Sequence, residues 1–388
     1  MRKRVWVPMK FIQEMEVNNK KVVLRCDLNV PIKEGKILSD EKIIASLETI
    51  KYLLEQNAKV IVMSHLGRVK TEEDKESNSL GLVFNKLYSL LGEGKVFFCE
   101  HTSGIELKMA AESLAPGTML LVENTRFEDI DGKKESGCDE TLAKEWASLG
   151  EGFINDAFGT SHRKHASNGG IAKYLENGFG FLMQKELIGL KPVIEPEHPF
   201  VVIMSGAKVA DKIELIANIL KKCDYLLLGG GIAHTFNAVT YDMGESLVSK
   251  DSLDEVRRLL NEYSDKIIMP VDGVNQDEEV KLISVLSPKD NILDIGPATL
   301  KNYEEYINMA KTIFVNGAAG VYEDDRFANG TRTILELCAK APGKTVLGGG
   351  DALASAEKYR IKNLHFMSTG GGATLDYIGT GKLKCQEN

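Results

Sequence analysis

The chain has 388 residues, which is long for a single hydrophobic core and therefore predicts two domains. Its hydrophobic share of 43% and charged share of 27% are those of a globular protein. A formal net charge of −8 argues against nucleic-acid binding, which needs a basic face, and no apolar run approaches the roughly 20 residues that cross a bilayer.

Short apolar runs of strand length alternate with amphipathic stretches along the chain. In chain order the apolar runs are Lys21–Leu24, Lys59–Met63, Met119–Val122, Gly152–Ile154, Phe200–Met204, Tyr225–Leu228, Thr312–Val315 and Thr345–Leu347. After the first run, Asp40–Glu55 begins with a capping residue and has apolar residues at a 3.6-residue period, which predicts a helix. Alternating strands and helices predict parallel sheets covered on both faces, with ligands at the carboxyl ends of the strands.

A domain boundary is predicted near residues 185–200. Met183–Lys191 has the pattern of a helix, and we expect Pro192 and the segment Glu195–Pro199 to break that pattern. A new strand is predicted from Phe200 onwards. The sequence therefore predicts two α/β halves of similar size.

In the N-terminal half, polar and basic side chains follow the strand ends. They are Arg25, Asp27 and Asn29; Ser64, His65 and Arg68; Glu123, Asn124 and Arg126; and Asn155, Asp156, Thr160, His162, Arg163 and His165. If these loops share one sheet edge, four arginines and up to three histidines converge, and guanidinium groups suit phosphate and carboxylate. The alternative is separate solvated charges. Four basic loops in an acidic chain favour an anion pocket.

In the C-terminal half, glycine follows the strand ends. Three glycine triplets occur, at Gly229–Gly231, Gly348–Gly350 and Gly370–Gly372. Backbone N–H groups of such turns, with a helix N-terminus behind them, can cradle phosphate, whereas the alternative is tight packing turns. Asp351 follows the second triplet and could hold Mg²⁺ on nucleotide phosphates. Lys208 and Lys212 could meet those phosphates as point charges, or could simply be solvated.

The six cysteines are scattered and include no C-x-x-C pair, so we predict idle thiols in a reducing compartment rather than a zinc site or a disulfide framework. Because no apolar segment follows the basic residues of the N-terminus, we predict no signal peptide and a cytoplasmic protein.

Ten strings, in this order, resemble those of phosphoglycerate kinases. They are RCDLNVP, SHLGR, ENTRF, NDAFGTSHRKHAS, SGAKVADKI, GGGIAHTF, LDIGP, VNGAAGVYE with the FANGT that follows, GGGDA and STGGGA. The resemblance implies two doubly wound, Rossmann-like parallel-sheet domains of the α/β class, joined by a hinge helix. It implies a nucleotide-binding domain at residues 186–372 after a substrate-binding domain at residues 1–185, onto which a tail of residues 373–388 packs back.

The activity that the resemblance implies is reversible phosphoryl transfer in glycolysis. A phosphoryl group passes from 1,3-bisphosphoglycerate to Mg-ADP and gives 3-phosphoglycerate and ATP. The resemblance further implies a hinge-bending monomer. The net charge and the lack of a long apolar run separately predict no nucleic-acid and no membrane partner.

The resemblance also implies roles for individual residues, carried over by motif position. The substrate-binding residues would be Arg25, Asp27, Asn29, Lys42, His65, Arg68, Arg126 and Arg163. The nucleotide-binding residues would be Lys212, Gly230, Asn316, Glu323, Gly348, Gly349, Gly350, Asp351 and Ala352, with Asp351 holding Mg²⁺. The residues that act on the transferring phosphoryl group would be Lys42, Lys208 and Gly371.

Several positions depart from the family's pattern. Lys42 stands where the family has an arginine, and lysine keeps the charge but loses the bidentate fork. The other departures are Glu48 for a proline, Ser205 for a glycine, Ala318 and Ala319 in NGAAG for NGPMG, and Ala352 for a hydroxyl residue.

The departures leave an alternative, an impaired paralogue that keeps ligand binding for a regulatory or scaffolding role. The retained arginines, both lysines, Glu323 and Asp351 favour the active kinase. An unrelated two-lobed binding protein would require the ordered strings to arise by chance.

Overall fold

A computed structural model describes residues 10–210 and 212–386 and divides the chain into two α/β units. The first unit extends to Glu186 and also includes the described residues from Leu383 onwards; the second unit is Leu187–Lys382. The predicted fold class, two α/β domains built on parallel sheets, is confirmed.

The first unit contains eight strands and six helices among its described residues, the last helix continuing into the second unit. The strands are β1 (Lys21–Cys26), β2 (Ile32–Lys33), β3 (Lys36–Ile37), β4 (Lys59–Met63), β5 (Val96–Cys99), β6 (Met119–Val122), β7 (Gly152–Asp156) and β8 (Asn177–Phe179). The helices are α1 (Glu41–Glu55), α2 (Asp74–Ser77), α3 (Gly81–Leu91), α4 (Gly104–Glu112), α5 (Glu140–Ala147) and α6 (Phe181–Ile194).

The main sheet of this unit is parallel, in the order β5-β6-β4-β1-β7-β8. Successive strand residues point to opposite faces, so Val22 and Leu24 pack into one core and Val23 into the other. Burial on both faces explains why these strands appear in the sequence as continuous apolar runs. The chain extends from β1 to one side and later returns to its other side, which creates a switch point at β1.

Helix α1 confirms the helix predicted over residues 40–55, and it buries Ile43, Leu47 and Ile50 along one face. Asp40 precedes the helix but does not cap it through its side chain, because its carboxylate pairs with Lys86 at 2.6 Å.

Helix α6 spans the boundary between the two units and corrects the expected break at Pro192. The helix continues to Ile194 with Pro192 inside it, and the N–H of Glu195 still reaches the carbonyl of Lys191 at 2.9 Å. A proline so close to the end of a helix removes one hydrogen bond but leaves little helix to disrupt, so the helix tolerates it. The first turn of α6 is fixed by Asp156, whose Oδ1 accepts from the N–H of Leu182 at 2.9 Å.

The second unit contains the following strands and helices. The strands are β9 (Phe200–Met204), β10 (Tyr225–Leu228), β11 (Ile267–Ile268), β12 (Asp272–Asn275), β13 (Val280–Leu282), β14 (Ile292–Ile295), β15 (Thr312–Asn316), β16 (Lys344–Gly348) and β17 (Phe366–Ser368). The helices are α7 (Ile213–Leu220), α8 (Gly230–Asn237), α9 (Leu253–Tyr263), α10 (Pro297–Met309), α11 (Asn329–Lys340), α12 (Gly350–Lys358) and α13 (Gly372–Thr380).

The parallel sheet of the second unit has the order β11-β10-β9-β15-β16-β17, which places its switch point between β9 and β15. A small antiparallel sheet, β13-β12-β14, is a feature that the apolar runs did not predict. Helix α13 lies within the second unit, whereas the predicted C-terminal tail begins at residue 373; the assignment of that tail stays a prediction. In the part of the chain that the structure describes, no helix combines the length and apolarity needed to cross a membrane.

Candidate active site

The carboxyl edge of the first sheet brings four loops together, because β6, β4, β1 and β7 are neighbours in one parallel sheet. Two asparagines join these loops. The Oδ1 of Asn29, after β1, accepts from the N–H of Gly67, after β4, at 2.9 Å. The Oδ1 of Asn124, after β6, accepts from the N–H of Leu66 at 3.1 Å. The loops predicted to hold an anion therefore lie at one edge of the sheet.

Three arginines of these loops present their charge in different ways. Arg68 and Arg163 are exposed, and neither forms an ion pair with a described residue. Arg126 is mostly covered, with 15% of its side chain exposed, and its Nη1 donates to Asp129 Oδ2 at 2.7 Å. The edge thus offers two uncompensated guanidinium groups and one that is held in place, which suits an anionic ligand.

Lys42 reaches the same edge from α1. Its Nζ lies 2.9 Å from Asp27 Oδ2, with 45% of the lysine side chain and 12% of the aspartate side chain exposed. Asp27 also packs against Gly159 in the loop after β7, where a Cβ would come within 2.8 Å of Asp27 Oδ2. The lysine is therefore oriented by a carboxylate that is itself confined.

Arg25, predicted to bind substrate, is fully buried at the end of β1. Its Nε donates to Ser167 Oγ at 2.8 Å, its Nη1 donates to the carbonyl of Cys26, and its Nη2 lies 3.2 Å from His65 Nδ1. Burial lowers the pKa of Arg25, and the negative charge of Glu135 opposes that shift. Arg25 therefore lies beneath the surface of this edge and contacts it through His65.

Glu135 was missed by the sequence analysis. It is fully buried, and both of its carboxylate oxygens accept hydrogen bonds from Ser167. In a loop rich in Lys, Glu and Gly, the neighbouring residues in the sequence do not indicate that one charged residue is buried. Only its contact with a residue 32 positions away identifies it.

Two histidines beside these arginines are held neutral. Burial, followed by the charges of Arg25 and Arg126, keeps the pKa of His65 well below 6.5. Burial, together with the same two arginines, lowers the pKa of His165 to about 3. At neutral pH both rings are hydrogen-bonding groups rather than cations.

In the second unit, the three glycine triplets lie at junctions between a strand and a helix. The junctions join β10 to α8, β16 to α12 and β17 to α13. Gly230, Gly349 and Gly371 have positive φ angles of 58°, 94° and 55°, a region that side chains other than glycine rarely adopt. Each junction thus turns sharply into a helix N-terminus, where free N–H groups and the helix dipole favour an anion.

The ammonium of Lys212 lies at the switch point of the second sheet. It donates to the carbonyl of Ser205, after β9, at 2.8 Å and to Asn316 Oδ1, at the end of β15, at 2.7 Å. Asn316 in turn donates from Nδ2 to the carbonyl of Gly348 at 2.6 Å. These bonds join three neighbouring strand ends around one cation.

The remaining predicted residues of this edge differ in exposure. Lys208, Glu323 and Asp351 are exposed, whereas Ala352 is fully buried in the first turn of α12. Among residues 10–210 and 212–386, no group of three or more His, Cys, Asp or Glu side chains is arranged to hold a metal ion. A lone exposed carboxylate beside a glycine-rich turn nevertheless suits Mg²⁺, which is commonly held by one or two carboxylates, substrate phosphates and water.

The comparisons with known proteins agree with this architecture. The phosphoglycerate kinase family model matches residues 12–382. The chain belongs to the phosphoglycerate kinase family. It is 46% identical to the phosphoglycerate kinase of Macrococcus caseolyticus and 48% identical to that of Listeria innocua. Each match extends over 381 residues and covers 95% of this chain and 96% of the relative.

Solved structures of phosphoglycerate kinases share the fold. The structure from Coxiella burnetii matches with a TM-score of 0.88 at 34% identity, covering 98% of each chain. The structure from Pyrococcus horikoshii matches with a TM-score of 0.80 at 32% identity, covering 97% of each chain. The chain is accordingly a phosphotransferase with phosphoglycerate kinase function, and the impaired paralogue is not favoured.

The departures from the phosphoglycerate kinase pattern lie in distinct environments. Ala318 and Ala319 are buried, at 7% and 3% exposure, in the loop after β15. Ser205 is also buried, and its hydroxyl has no hydrogen-bond partner among the described residues. Glu48 is exposed on α1. Lys42, through its pair with Asp27, places a positive charge at the arginine-rich edge.

Proposed function

We propose that the chain transfers the acyl phosphoryl group of 1,3-bisphosphoglycerate to Mg-ADP, reversibly, to give 3-phosphoglycerate and ATP. The observation that carries the proposal is the presence of two exposed guanidinium groups, Arg68 and Arg163, at one sheet edge of a chain whose net charge is −8; neither pairs with a carboxylate of the described residues. In an acidic protein such a concentration of positive charge favours a small, multiply charged anion.

On the substrate side, Arg68, Arg126, Arg163 and His65 bind the phosphate that is not transferred. Arginine forks match phosphate oxygens bidentately, and a neutral imidazole adds one N–H donor. Two short polar side chains, Asp27 and Asn29, hold the hydroxy-acid part of the substrate, and Arg25 supports the site from behind. The support for this division is that Arg68 and Arg163 are exposed and Arg126 is partly exposed, while Arg25 is fully buried.

On the nucleotide side, the glycine junctions bind phosphates through backbone N–H groups. The residues are Gly230, Gly348, Gly349, Gly350 and Ala352, together with Lys212, Asn316, Glu323 and Asp351. Glu323 takes the ribose hydroxyls, and Lys212 reaches the phosphates from its position between Ser205 and Asn316. The contacts of Lys212 support this role, because they hold the ammonium at the switch point where α/β sheets bind ligands.

In the transfer itself, an oxygen of the ADP β-phosphate forms a new bond to phosphorus, and the bond from phosphorus to the acyl oxygen breaks. The leaving group is a carboxylate, which needs no proton, so the protein supplies alignment and positive charge rather than a strong base. Lys42, Lys208 and the backbone N–H of Gly371 stabilise the charge on the transferring phosphoryl oxygens. Asp351 would hold Mg²⁺ on the nucleotide phosphates, and the bound ion would supply charge neutralisation there.

Steady-state turnover of 3-phosphoglycerate with Mg-ATP tests the proposal, with formation of 1,3-bisphosphoglycerate coupled to NADH oxidation. We expect a rate of roughly 1–100 s⁻¹, as for other kinases. Arg68→Ala should raise KM for 3-phosphoglycerate by about tenfold or more, since it removes a charge-assisted contact. The matched control is Arg257→Ala, which removes an exposed arginine of α9 that pairs with Asp254.

The control should leave both KM values unchanged. A wild-type protein that binds 3-phosphoglycerate and ADP without turnover would overturn the proposal and favour the impaired paralogue. Unchanged kinetics in Arg68→Ala would overturn the assignment of the phosphate site.

We also propose a cytoplasmic monomer, on the family resemblance and on cysteines that are all free. Light scattering coupled to size-exclusion chromatography should give a mass near 42.8 kDa.

A further inference from the structure

A chain of buried polar groups lies behind the arginine-rich edge of the first unit. The hydroxyl of Ser167 accepts from Arg25 Nε at 2.8 Å and donates to Glu135 Oε1 at 2.5 Å. The Ser167 N–H donates to Glu135 Oε2 at 2.9 Å. On the other side of the guanidinium, Arg25 Nη2 lies 3.2 Å from His65 Nδ1. Glu135 is thereby connected to His65 through two intermediate side chains.

The charges of Glu135 and Arg25 need this hydrogen-bonded connection because both groups are buried. Glu135, Ser167 and Arg25 are all fully buried, and an isolated charge in such a place is strongly destabilising. Burial raises the pKa of Glu135, while Arg25 and the hydrogen bonds from Ser167 lower it. The carboxylate and the guanidinium therefore depend on each other, with Ser167 as the group between them.

The contact between Arg25 and His65 determines the tautomer of the imidazole. A guanidinium group has only donors, so Nδ1 of His65 must accept and cannot carry a proton. The proton of the neutral ring is then on Nε2, which no other described residue engages in a hydrogen bond. His65 consequently presents an N–H donor away from Arg25.

The charges around His65 disfavour a second proton on the ring. They belong to Arg25, Arg126 and Lys42, and the other titrating group nearby is His165. These three charges, which act most strongly on the ring, are all positive, so protonation of His65 would add a fourth like charge. His65 therefore stays a neutral donor across the neutral pH range.

We propose that Glu135 is a positioning residue for substrate binding. Through Ser167 it holds the guanidinium of Arg25, and Arg25 holds His65 as the tautomer that offers Nε2–H to the phosphate of 3-phosphoglycerate. The inference rests on the proposed function in one respect, the contact between His65 and that phosphate. The tautomer of His65 is a property of the ligand-free protein and can be measured without any turnover.

The direct test is ¹⁵N NMR of the histidine rings in the full-length, ligand-free protein, with the signals of His65 assigned by His65→Gln. In the wild type we expect the Nε2–H tautomer alone between pH 6 and pH 8. In Glu135→Gln and in Ser167→Ala, the hold on Arg25 is lost. The signals of His65 should then shift towards a mixture of tautomers or a protonated ring.

Kinetics give the second readout. Glu135→Gln and Ser167→Ala should raise KM for 3-phosphoglycerate by about tenfold, the effect of one misplaced charge-assisted donor, while KM for ATP stays within about twofold. The matched control is Glu128→Gln, which changes a carboxylate of the preceding turn that accepts from Thr102 and Ser103. That control should change neither the NMR signals of His65 nor either KM.

The proposal is overturned if both variants fold, as judged by circular dichroism and thermal melting, and His65 keeps the wild-type tautomer with an unchanged KM for 3-phosphoglycerate. If Glu135→Gln does not fold, Ser167→Ala alone decides, because it removes only one hydroxyl. A wild type without turnover would count against the proposed function, whereas the tautomer measurement would still decide the role of Glu135.

Discussion

Substitution of Lys42 should have a small effect on stability and a large effect on turnover. Its ion pair with Asp27 is 2.9 Å long, but 45% of the lysine side chain is exposed. Exposed ion pairs typically contribute about 0–1 kcal/mol to the free energy of unfolding. Lys42→Ala should therefore lower the melting temperature by at most about 4 °C, given the size of the domain.

The expected effect of the same substitution on turnover is far larger. A cation that contacts the transferring phosphoryl group contributes about 10³-fold or more to kcat, equivalent to roughly 4 kcal/mol. Lys42→Ala should lower kcat by about that factor. Lys42→Arg should keep kcat within about tenfold of the wild type, because arginine retains the charge and can hold Asp27 with one part of its fork.

The assay is steady-state turnover of 3-phosphoglycerate with Mg-ATP, with thermal melting of each variant measured alongside it. The matched control is Lys86→Ala. Lys86 is also a half-exposed lysine paired with an aspartate, Asp40, at 2.6 Å, and it lies on α3. Its kcat should stay within about twofold of the wild type. A kcat of Lys42→Ala within tenfold of the wild type would refute the assignment of Lys42 to the transferring group.

Three further predictions concern the second unit. Gly349→Ala should raise KM for ATP by about tenfold, because φ is +94° there and a Cβ would overlap Asn316 Nδ2. Asp351→Asn should weaken binding of Mg-ADP in calorimetry but leave binding of ADP in EDTA nearly unchanged. Burial raises the pKa of Asp294 from 3.8 to about 7, so the folded state binds this proton more tightly than the unfolded state. The contribution of Asp294 to stability is then greatest below pH 3.8 and falls as the pH rises to about 7. Between pH 5 and pH 8 the wild type should lose more free energy of unfolding than Asp294→Asn, by on the order of a few kcal/mol.

Each of these predictions has a result that would count against it. An unchanged KM for ATP in Gly349→Ala would show that the turn does not hold phosphate. Equal weakening with and without Mg²⁺ in Asp351→Asn would point to a general loss of nucleotide binding rather than a metal contact. Denaturant curves that change equally with pH in the wild type and in Asp294→Asn would show that the carboxyl of Asp294 ionises normally.

Some elements of secondary structure could be predicted from the sequence, whereas others depend on the tertiary structure. The apolar runs at Lys59–Met63 and Phe200–Met204 became β4 and β9 with the predicted bounds, because strands buried on both faces carry their signal locally. The strands of the antiparallel sheet, such as Val280–Leu282, lack that signal because β13 is largely exposed. The prediction that the helix breaks at Pro192 was wrong because the effect of a proline depends on how much helix follows it.

The sequence by itself determined which residue types follow the strands: arginines and histidines in the N-terminal half, and glycines in the C-terminal half. It also determined the family to which the chain belongs. Tertiary structure alone decided which of those charges are accessible. Arg25 and Arg68 look alike as arginines after strands, yet one is fully buried and the other exposed. The contact between Arg25 and Ser167 joins residues 142 positions apart. Burial and pairing depend on which distant loops meet at a sheet edge, and no local pattern encodes that meeting.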